Sequence, residues 1–389
     1  MFEPRILIVS SKFGGGHYQA GEALAEGLRS MLPKDAQIRH CDYGSFFPKG
    51  TDFLMRTAYL KMVKNTPSIW GKIFKYTNTT HAENKYRNFV KGFRQKSFIH
   101  YIREMEPDII VNTHFMSAGV LAELKRKGLI KVPLVTVVTD YVIHGMWIHP
   151  GIDLYIVGCR QVQEKLIEAG IKEESIMITG IPIRLEFEQD LDKEELRKKL
   201  GFDPNKTTIL FMGGAYGPTS KATEIIKAIN RLNPRLQLQF LIVAGKDEEY
   251  YQALKQSEKE CLFPLKCLGY VNYVEELMAA SDLLVSKGGA LTISEALTLG
   301  LPILMFKPIP GQEDGNAEFV ESTGGGMTVL SSEELTRVLQ YLSQNPGILR
   351  EMSKLAGSAL PNCSSQKAAR AIINLREKER VSKEQVIGG

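Results

Sequence analysis

The sequence has little of what would make a membrane-spanning, disulfide-bonded or zinc-stapled protein. No apolar run reaches the roughly 18 residues that a spanning helix needs. The opening Met1-Phe2-Glu3-Pro4-Arg5 lacks the basic-then-apolar order of a secretory signal, and the first apolar stretch is only Ile6 to Val9. Five cysteines, at 41, 159, 261, 267 and 363, are scattered and odd in number, with no CxxC pair. They read as buried reduced thiols in a cytosolic protein, not as a zinc site or a disulfide framework. Glycine (34) and proline (17) are in no excess, which excludes a collagenous or low-complexity chain. What is present is ordinary globular composition, 43% hydrophobic and 24% charged. A length of 389 residues exceeds what one core usually serves, so two domains are expected.

The net charge of +5 is unevenly placed. Residues 1–185 carry 25 Lys/Arg against 17 Asp/Glu, whereas residues 186–389 carry 24 against 27. Most of the excess falls in residues 49–103, where 12 Lys/Arg face two acids, Asp52 and Glu83, with ten aromatics interleaved. Cations beside aromatic rings suit an anionic membrane surface, the charges feeling the lipid potential and the rings sitting at headgroup level. A solvated helical face with its aromatics in the core gives the same composition. Nucleic acid is not expected, because no RNP, KH or helix-turn-helix pattern accompanies the charge.

Short apolar strands alternate with amphipathic helices along most of the chain. Strands are expected at 5–11, 36–43, 108–113, 133–139, 153–158 and 175–179. A second series is expected at 207–213, 238–244, 265–269, 282–286, 302–306 and 327–330. Intervening helices include 18–31, 160–169, 219–231, 272–280, 291–299 and 312–322. Near-continuous apolar strands in βαβα order imply an α/β protein with parallel sheets covered on both faces. The series stalls at 181–206, where Ile181-Pro182-Ile183-Arg184 and a charged stretch suggest a linker. The domains are therefore set at 1–185 and 207–355, with a linker at 186–206 and a helical tail at 356–389. Ser331 followed by Glu334 fits a capping box opening a helix. In open α/β sheets ligands bind beyond the carboxyl ends of the strands, so those loops are the place to look.

Three of those loops are glycine-rich. Ser11-Lys12-Phe13-Gly14-Gly15-Gly16-His17 follows the first strand and opens a helix. It lacks the third glycine and the following acid of a dinucleotide fingerprint, and no Gly-Lys-Ser/Thr makes it a Walker A loop. What remains is a glycine turn presenting His17. Met212-Gly213-Gly214-Ala215-Tyr216-Gly217 has the same place in the second domain. Ser286-Lys287-Gly288-Gly289-Ala290-Leu291-Thr292 ends a strand and opens the helix carrying Glu295. Backbone N–H groups there would face a diphosphate with the helix dipole assisting, and Glu295 would accept hydrogen bonds from ribose hydroxyls. A fourth, polar segment, Lys307 to Asn316, offers Gln312, Glu313 and Asn316, the mixed donors and acceptors that hexose hydroxyls require.

Taken together and in order, SSKFGGGH, VVTDYVIHGMWIH, TGIPIR, KGGALTISEALTLGLPIL and PGQEDGNAEF resemble glycosyltransferase family 28 over nearly the whole chain. More narrowly they resemble its glycerolipid branch, the monogalactosyldiacylglycerol synthases and the bacterial processive diacylglycerol glucosyltransferases. The resemblance implies a GT-B fold, two doubly wound Rossmann-like domains facing a cleft, with a C-terminal helix crossing back. It implies a bacterial enzyme of glycolipid biosynthesis, peripheral on the cytoplasmic face of the cell membrane. That enzyme moves a hexose, glucose ahead of galactose, from a UDP-sugar to diacylglycerol with inversion. By match to the family's motifs the donor falls to Gly16, Gly214, Ser286, Gly288, Gly289, Ala290, Leu291, Thr292, Glu295, Gln312, Glu313 and Asn316. The acceptor side falls to Gly15, His114, His144, Trp147 and His149.

In the plant galactolipid synthases the glycine loop carries an Asp proposed as catalytic base, and Lys12 stands in that place here. The bacterial glucosyltransferases also lack it, which points to them and to His17 as the base. Asp140, ending the VVTD strand, is expected to orient His17. No DxD pair sits in a strand-end loop, so neither a catalytic metal nor another cofactor is expected. Two alternatives stay open: a family 28 transferase for another lipid-linked acceptor such as a peptidoglycan precursor, and a non-catalytic membrane binder of the same fold.

Overall fold

The computed structural model describes residues 4–12, 15–47, 95–213 and 222–387. The larger part of the basic, aromatic segment 49–103 lies outside the described residues, as do Gly214 and most of the second glycine loop. The chain divides into two compact units, residues 1–185 with 361–389, and residues 186–360.

The first unit is built on six parallel strands, in the order β2-β1-β3-β4-β5-β6. They are β1 (Arg5–Ser10), β2 (Gln37–Asp42), β3 (Ile109–Asn112), β4 (Leu134–Val137), β5 (Leu154–Val157) and β6 (Ile176–Ile178). Described helices between them are α1 (Gly16–Met31), α2 (Gln95–Met105), α3 (Phe115–Arg126) and α4 (Arg160–Glu168). Side chains alternate across the sheet: Ile6 and Ile8 pack with Leu24 and Leu28 of α1, Leu7 and Val9 with Phe98 of α2 and Leu121 of α3. Both faces are covered, which is why β1 reads as an unbroken apolar run.

The second unit repeats the plan with the order β12-β11-β10-β7-β8-β9. It opens with α5 (Lys193–Lys199), then β7 (Thr207–Met212), α6 (Ala222–Asn230), β8 (Leu238–Val243), α7 (Glu248–Glu258), β9 (Leu265–Leu268) and α8 (Val274–Ala279). There follow β10 (Leu283–Ser286), α9 (Ala290–Thr298), β11 (Ile303–Phe306), α10 (Gln312–Thr323), β12 (Gly326–Val329), α11 (Ser332–Gln344) and α12 (Pro346–Ser358). All twelve expected strands are present, each within two residues of its expected ends. At the start of α11, Ser331 Oγ accepts from the Glu334 N–H, while the Glu334 carboxylate takes the Leu330 N–H, one residue ahead of the usual box.

The segment 186–206, expected as a linker, belongs to the second unit. Its helix α5 docks through Arg197, a buried guanidinium that donates to the carbonyls of Ala280 (2.8 Å) and Pro204 (2.9 Å) and pairs with Asp282. A charged composition looked solvated; one buried, fully partnered arginine makes it structural.

The tail divides as well, since α12 stays with the second unit while α13 (Ser364–Ile387) packs on α1 of the first. Ala368, Ala369 and Ile372 enter the core beside Leu24 and Leu28. A β-carbon at Gly27 would stand 2.7 Å from the Ser365 carbonyl oxygen, so only glycine permits that approach. Ser365 Oγ donates to the Ile183 carbonyl at 2.5 Å and fixes where α13 begins.

Each sheet has a point where the chain reverses its direction of winding, between β1 and β3 in one and between β7 and β10 in the other. Loops diverge there and leave a crevice at the carboxyl ends. All three glycine loops, which the structure describes in part or whole, start from these strands.

Candidate active site

In the first unit the crevice position is taken by His17, in the first turn of α1. Gly15 precedes that helix with φ +82°, a conformation that glycine adopts without strain. Thr113, at the end of β3, donates through Oγ1 to the His17 carbonyl at 2.8 Å. The imidazole Nδ1 lies 2.5 Å from Thr139 Oγ1, just past β4. Aromatic rings surround it: His114 at 4.6 Å edge-to-face, Trp147 at 6.1 Å and Phe115 at 6.4 Å between centroids. Desolvation by this packing lowers the His17 pKa to about 4, against a hydrogen bond with the Thr113 backbone that acts to raise it. The ring is therefore neutral near pH 7.

The orienting contact expected from Asp140 is made by its neighbour Thr139. Asp140, the next residue, is buried.

His114 is fully buried and caps α3, its Nδ1 accepting from the Met116 N–H at 3.3 Å. With Nδ1 an acceptor, the neutral ring carries its proton on Nε2, and that atom is buried without a partner. Burial and the neighbouring His17 both lower its pKa. The next loop carries Trp147 between His144 and His149. Trp147 is buried against His17 and Phe115. His144 caps its own turn through the Met146 N–H (3.1 Å), and His149 Nε2 meets the Met146 carbonyl at 2.8 Å. Both contacts shape the loop that holds Trp147.

A chain of polar side chains that the sequence does not reveal stands behind His17. Ser10 Oγ lies 2.7 Å from Thr113 Oγ1 and 2.6 Å from His40 Nε2, and His40 Nδ1 lies 2.6 Å from Glu22. Lys12, the residue that departs from the plant pattern, has its backbone N–H on Asp42 (3.2 Å) and its ammonium 5.1 Å from the Tyr18 ring.

In the second unit β10 ends at Ser286, and Gly288 turns the chain with φ +99°. Gly289 is the cap residue of α9 and provides no side-chain acceptor for the first amides of the helix. Residues 290–292 thus leave N–H groups without helical partners, where the macrodipole favours an anion. A β-carbon at Gly289 would meet nothing within 4 Å, so the turn has open space beside it. Glu295 is half-buried on the same helix.

The polar segment divides in role. Asn316, expected on the sugar, is buried and donates through Nδ2 to the Gly288 carbonyl at 3.1 Å, bracing the glycine turn from behind. Glu313 accepts from the Ile309 N–H at 2.7 Å. Burial pushes it up to about 7, opposed by the charge of Lys287. Gln312 opens α10 beside it.

These two constellations agree with what the chain is similar to. Residues 17–183 match the profile of monogalactosyldiacylglycerol (MGDG) synthase, and residues 208–371 that of the glycosyltransferase family 28 C-terminal domain. The processive diacylglycerol beta-glucosyltransferase of Bacillus subtilis (strain 168) is 30% identical over 353 residues, 90% of each chain. That of Bacillus pumilus is 30% identical over 365 residues, 93% of this chain and 92% of its own. The chain belongs to glycosyltransferase family 28, glycerolipid branch. Among solved structures, MurG of Acinetobacter baumannii superposes with a TM-score of 0.63 at 14% identity, covering 95% of this chain and 100% of that one. This family 28 glycosyltransferase accordingly has the GT-B fold.

Proposed function

We propose that the enzyme transfers a hexose, glucose ahead of galactose, from a UDP-sugar to diacylglycerol with inversion of the anomeric carbon. The observation that carries this reading is the pair of reversal points. One presents a neutral, oriented imidazole, and the other presents helix amides with no internal partner. The names borne by the Bacillus relatives support the lipid acceptor and glucose.

The proposed step is a single displacement. An acceptor hydroxyl attacks the anomeric carbon while His17 removes its proton, a contribution worth about 10²–10⁴-fold. The glycosidic bond to the β-phosphate oxygen breaks, and UDP leaves with the electron pair. The N–H groups opening α9 take up that charge, which is preorganised electrostatic stabilisation and asks for no carboxylate-held metal. Glu295 holds the ribose hydroxyls. Gln312 and Glu313 face the sugar and its neighbouring phosphate, while Asn316 keeps Gly288 in place. Trp147 and His114 line the acceptor side.

Among the described residues no helix is long and apolar enough to cross a membrane. We assign the basic, aromatic stretch 49–103 to docking on the anionic cytoplasmic leaflet, where diacylglycerol resides. The test is product analysis after incubation with UDP-glucose and diacylglycerol in anionic mixed micelles. A β-linked glucosyldiacylglycerol is expected, read from the anomeric proton coupling. An α-linked product would remove inversion, and a product only with a different lipid-linked hydroxyl would remove diacylglycerol.

A further inference from the structure

We propose that Thr139 is a positioning residue that holds the His17 imidazole with its proton on Nδ1, leaving Nε2 as the basic nitrogen. The inference rests on the reading of His17 as base and adds which atom does the work and what sets it.

Thr139 Oγ1 has one proton and two neighbours, His17 Nδ1 at 2.5 Å and the Thr113 carbonyl oxygen at 3.5 Å. A carbonyl only accepts, whereas a ring nitrogen donates or accepts according to its tautomer. Both contacts are hydrogen bonds at once only if the threonine hydroxyl donates to Thr113 and accepts from Nδ1–H. The opposite arrangement leaves the Thr113 contact without a proton and places the ring proton on Nε2, where it blocks base catalysis. Because packing keeps the ring neutral, it carries a single proton, and the choice of nitrogen decides whether it is a base.

Rigidity comes from the same two strand ends. Thr113 Oγ1 holds the His17 carbonyl while Thr139 holds the ring, and both threonines are buried. An Asp would add a negative charge at this position and raise the histidine pKa; a buried hydroxyl selects the tautomer without doing so.

The experiment uses the full-length protein labelled with ¹⁵N-histidine, with long-range ¹H–¹⁵N correlation spectra to read ring protonation. His17 is identified by the signal lost in His17→Gln. The wild type is expected to show Nδ1–H for His17. In Thr139→Val, which keeps the shape without the hydroxyl, that signature is expected to give way to Nε2–H or a mixture. Its kcat is expected to fall by about 10²-fold with the donor KM unchanged, and Thr139→Ser is expected to restore both. An Nε2–H signature for His17 in the wild type overturns the proposal, and needs no variant to fold. Failure of serine to rescue also overturns it. If His17→Gln itself turns over normally while the wild-type tautomer is Nδ1–H, the reading of His17 as base falls and the tautomer assignment stands.

Discussion

Gly21 lies so close to Ser10 that a β-carbon at position 21 would collide with the Ser10 hydroxyl and stand 2.6 Å from His40 Nε2. The absent side chain of α1 is what lets β1, β2 and β3 line up Ser10, His40 and Thr113 behind His17. Gly21→Ala is predicted to be destabilising in spite of alanine's better helix propensity, because overpacking costs about 1–3 kcal/mol. Urea unfolding should show a lower midpoint at unchanged slope. An unchanged or raised midpoint would mean that the polar chain yields without cost.

Acid should find the first unit through its buried imidazoles. The His17 pKa is lowered from 6.5 to about 4, so the unfolded chain binds a proton that the folded one refuses. Its contribution to stability is complete above about 6.5 and is lost as pH falls toward 4. His114 is shifted in the same direction. His17→Gln is predicted to flatten the decline of unfolding free energy between pH 6.5 and 4, measured by denaturant titration at several pH values.

Glu313 titrates in the opposite sense. Its carboxyl is raised from 4.5 to about 7 in the fold, so the unfolded chain releases its proton first as pH rises. Stability attached to the protonated form is present below about 4.5 and is lost as pH climbs through 7. Glu313→Gln is predicted to be more stable than wild type at pH 8 without donor, and equal to it near pH 4. Equal stability at both values would place the side chain in water.

Donor recognition should depend on Glu295. Removing a carboxylate that accepts from ribose hydroxyls costs about 1.5–3 kcal/mol. Glu295→Ala is therefore predicted to raise the donor KM by tenfold to a hundredfold, and steady-state kinetics at saturating acceptor would show it. An unchanged donor KM would take the ribose assignment away from α9.

Membrane docking is predicted to be electrostatic. Each Lys or Arg near an anionic surface is worth about 1 kcal/mol. Lys72→Gln with Lys75→Gln should weaken binding to phosphatidylserine vesicles by tenfold or more, and added salt should narrow the difference. Salt-independent binding of both proteins would return these residues to a solvated helical face.

The fold was legible in the sequence because parallel strands buried on both faces leave continuous apolar runs, as in Ile6 to Val9, which periodicity finds directly. Helix α5 was not, since its one buried arginine is surrounded by exposed charge and the segment reads as a linker. The glycine turns and His17 were legible because glycines at strand ends constrain a backbone in ways few residues can replace. Thr113, Thr139 and Ser10 were not, because a hydroxyl beside a strand end is common and its partner is set by neighbours remote in sequence. Asn316 was legible as a polar residue of the motif, but its bond to the Gly288 carbonyl was not. A side chain amide serves a carbonyl as readily as a sugar, and only the path of the chain decides between them.

The most direct measurement of the central claim is UDP release with diacylglycerol in anionic mixed micelles, with UDP-glucose and UDP-galactose compared, and His17→Ala run beside the wild type. Turnover with UDP-glucose in excess of UDP-galactose, lost by about 10²-fold or more in the variant, is the predicted result. Equal turnover of wild type and variant would contradict the assignment of the base, and no UDP release from either donor would contradict the proposed reaction.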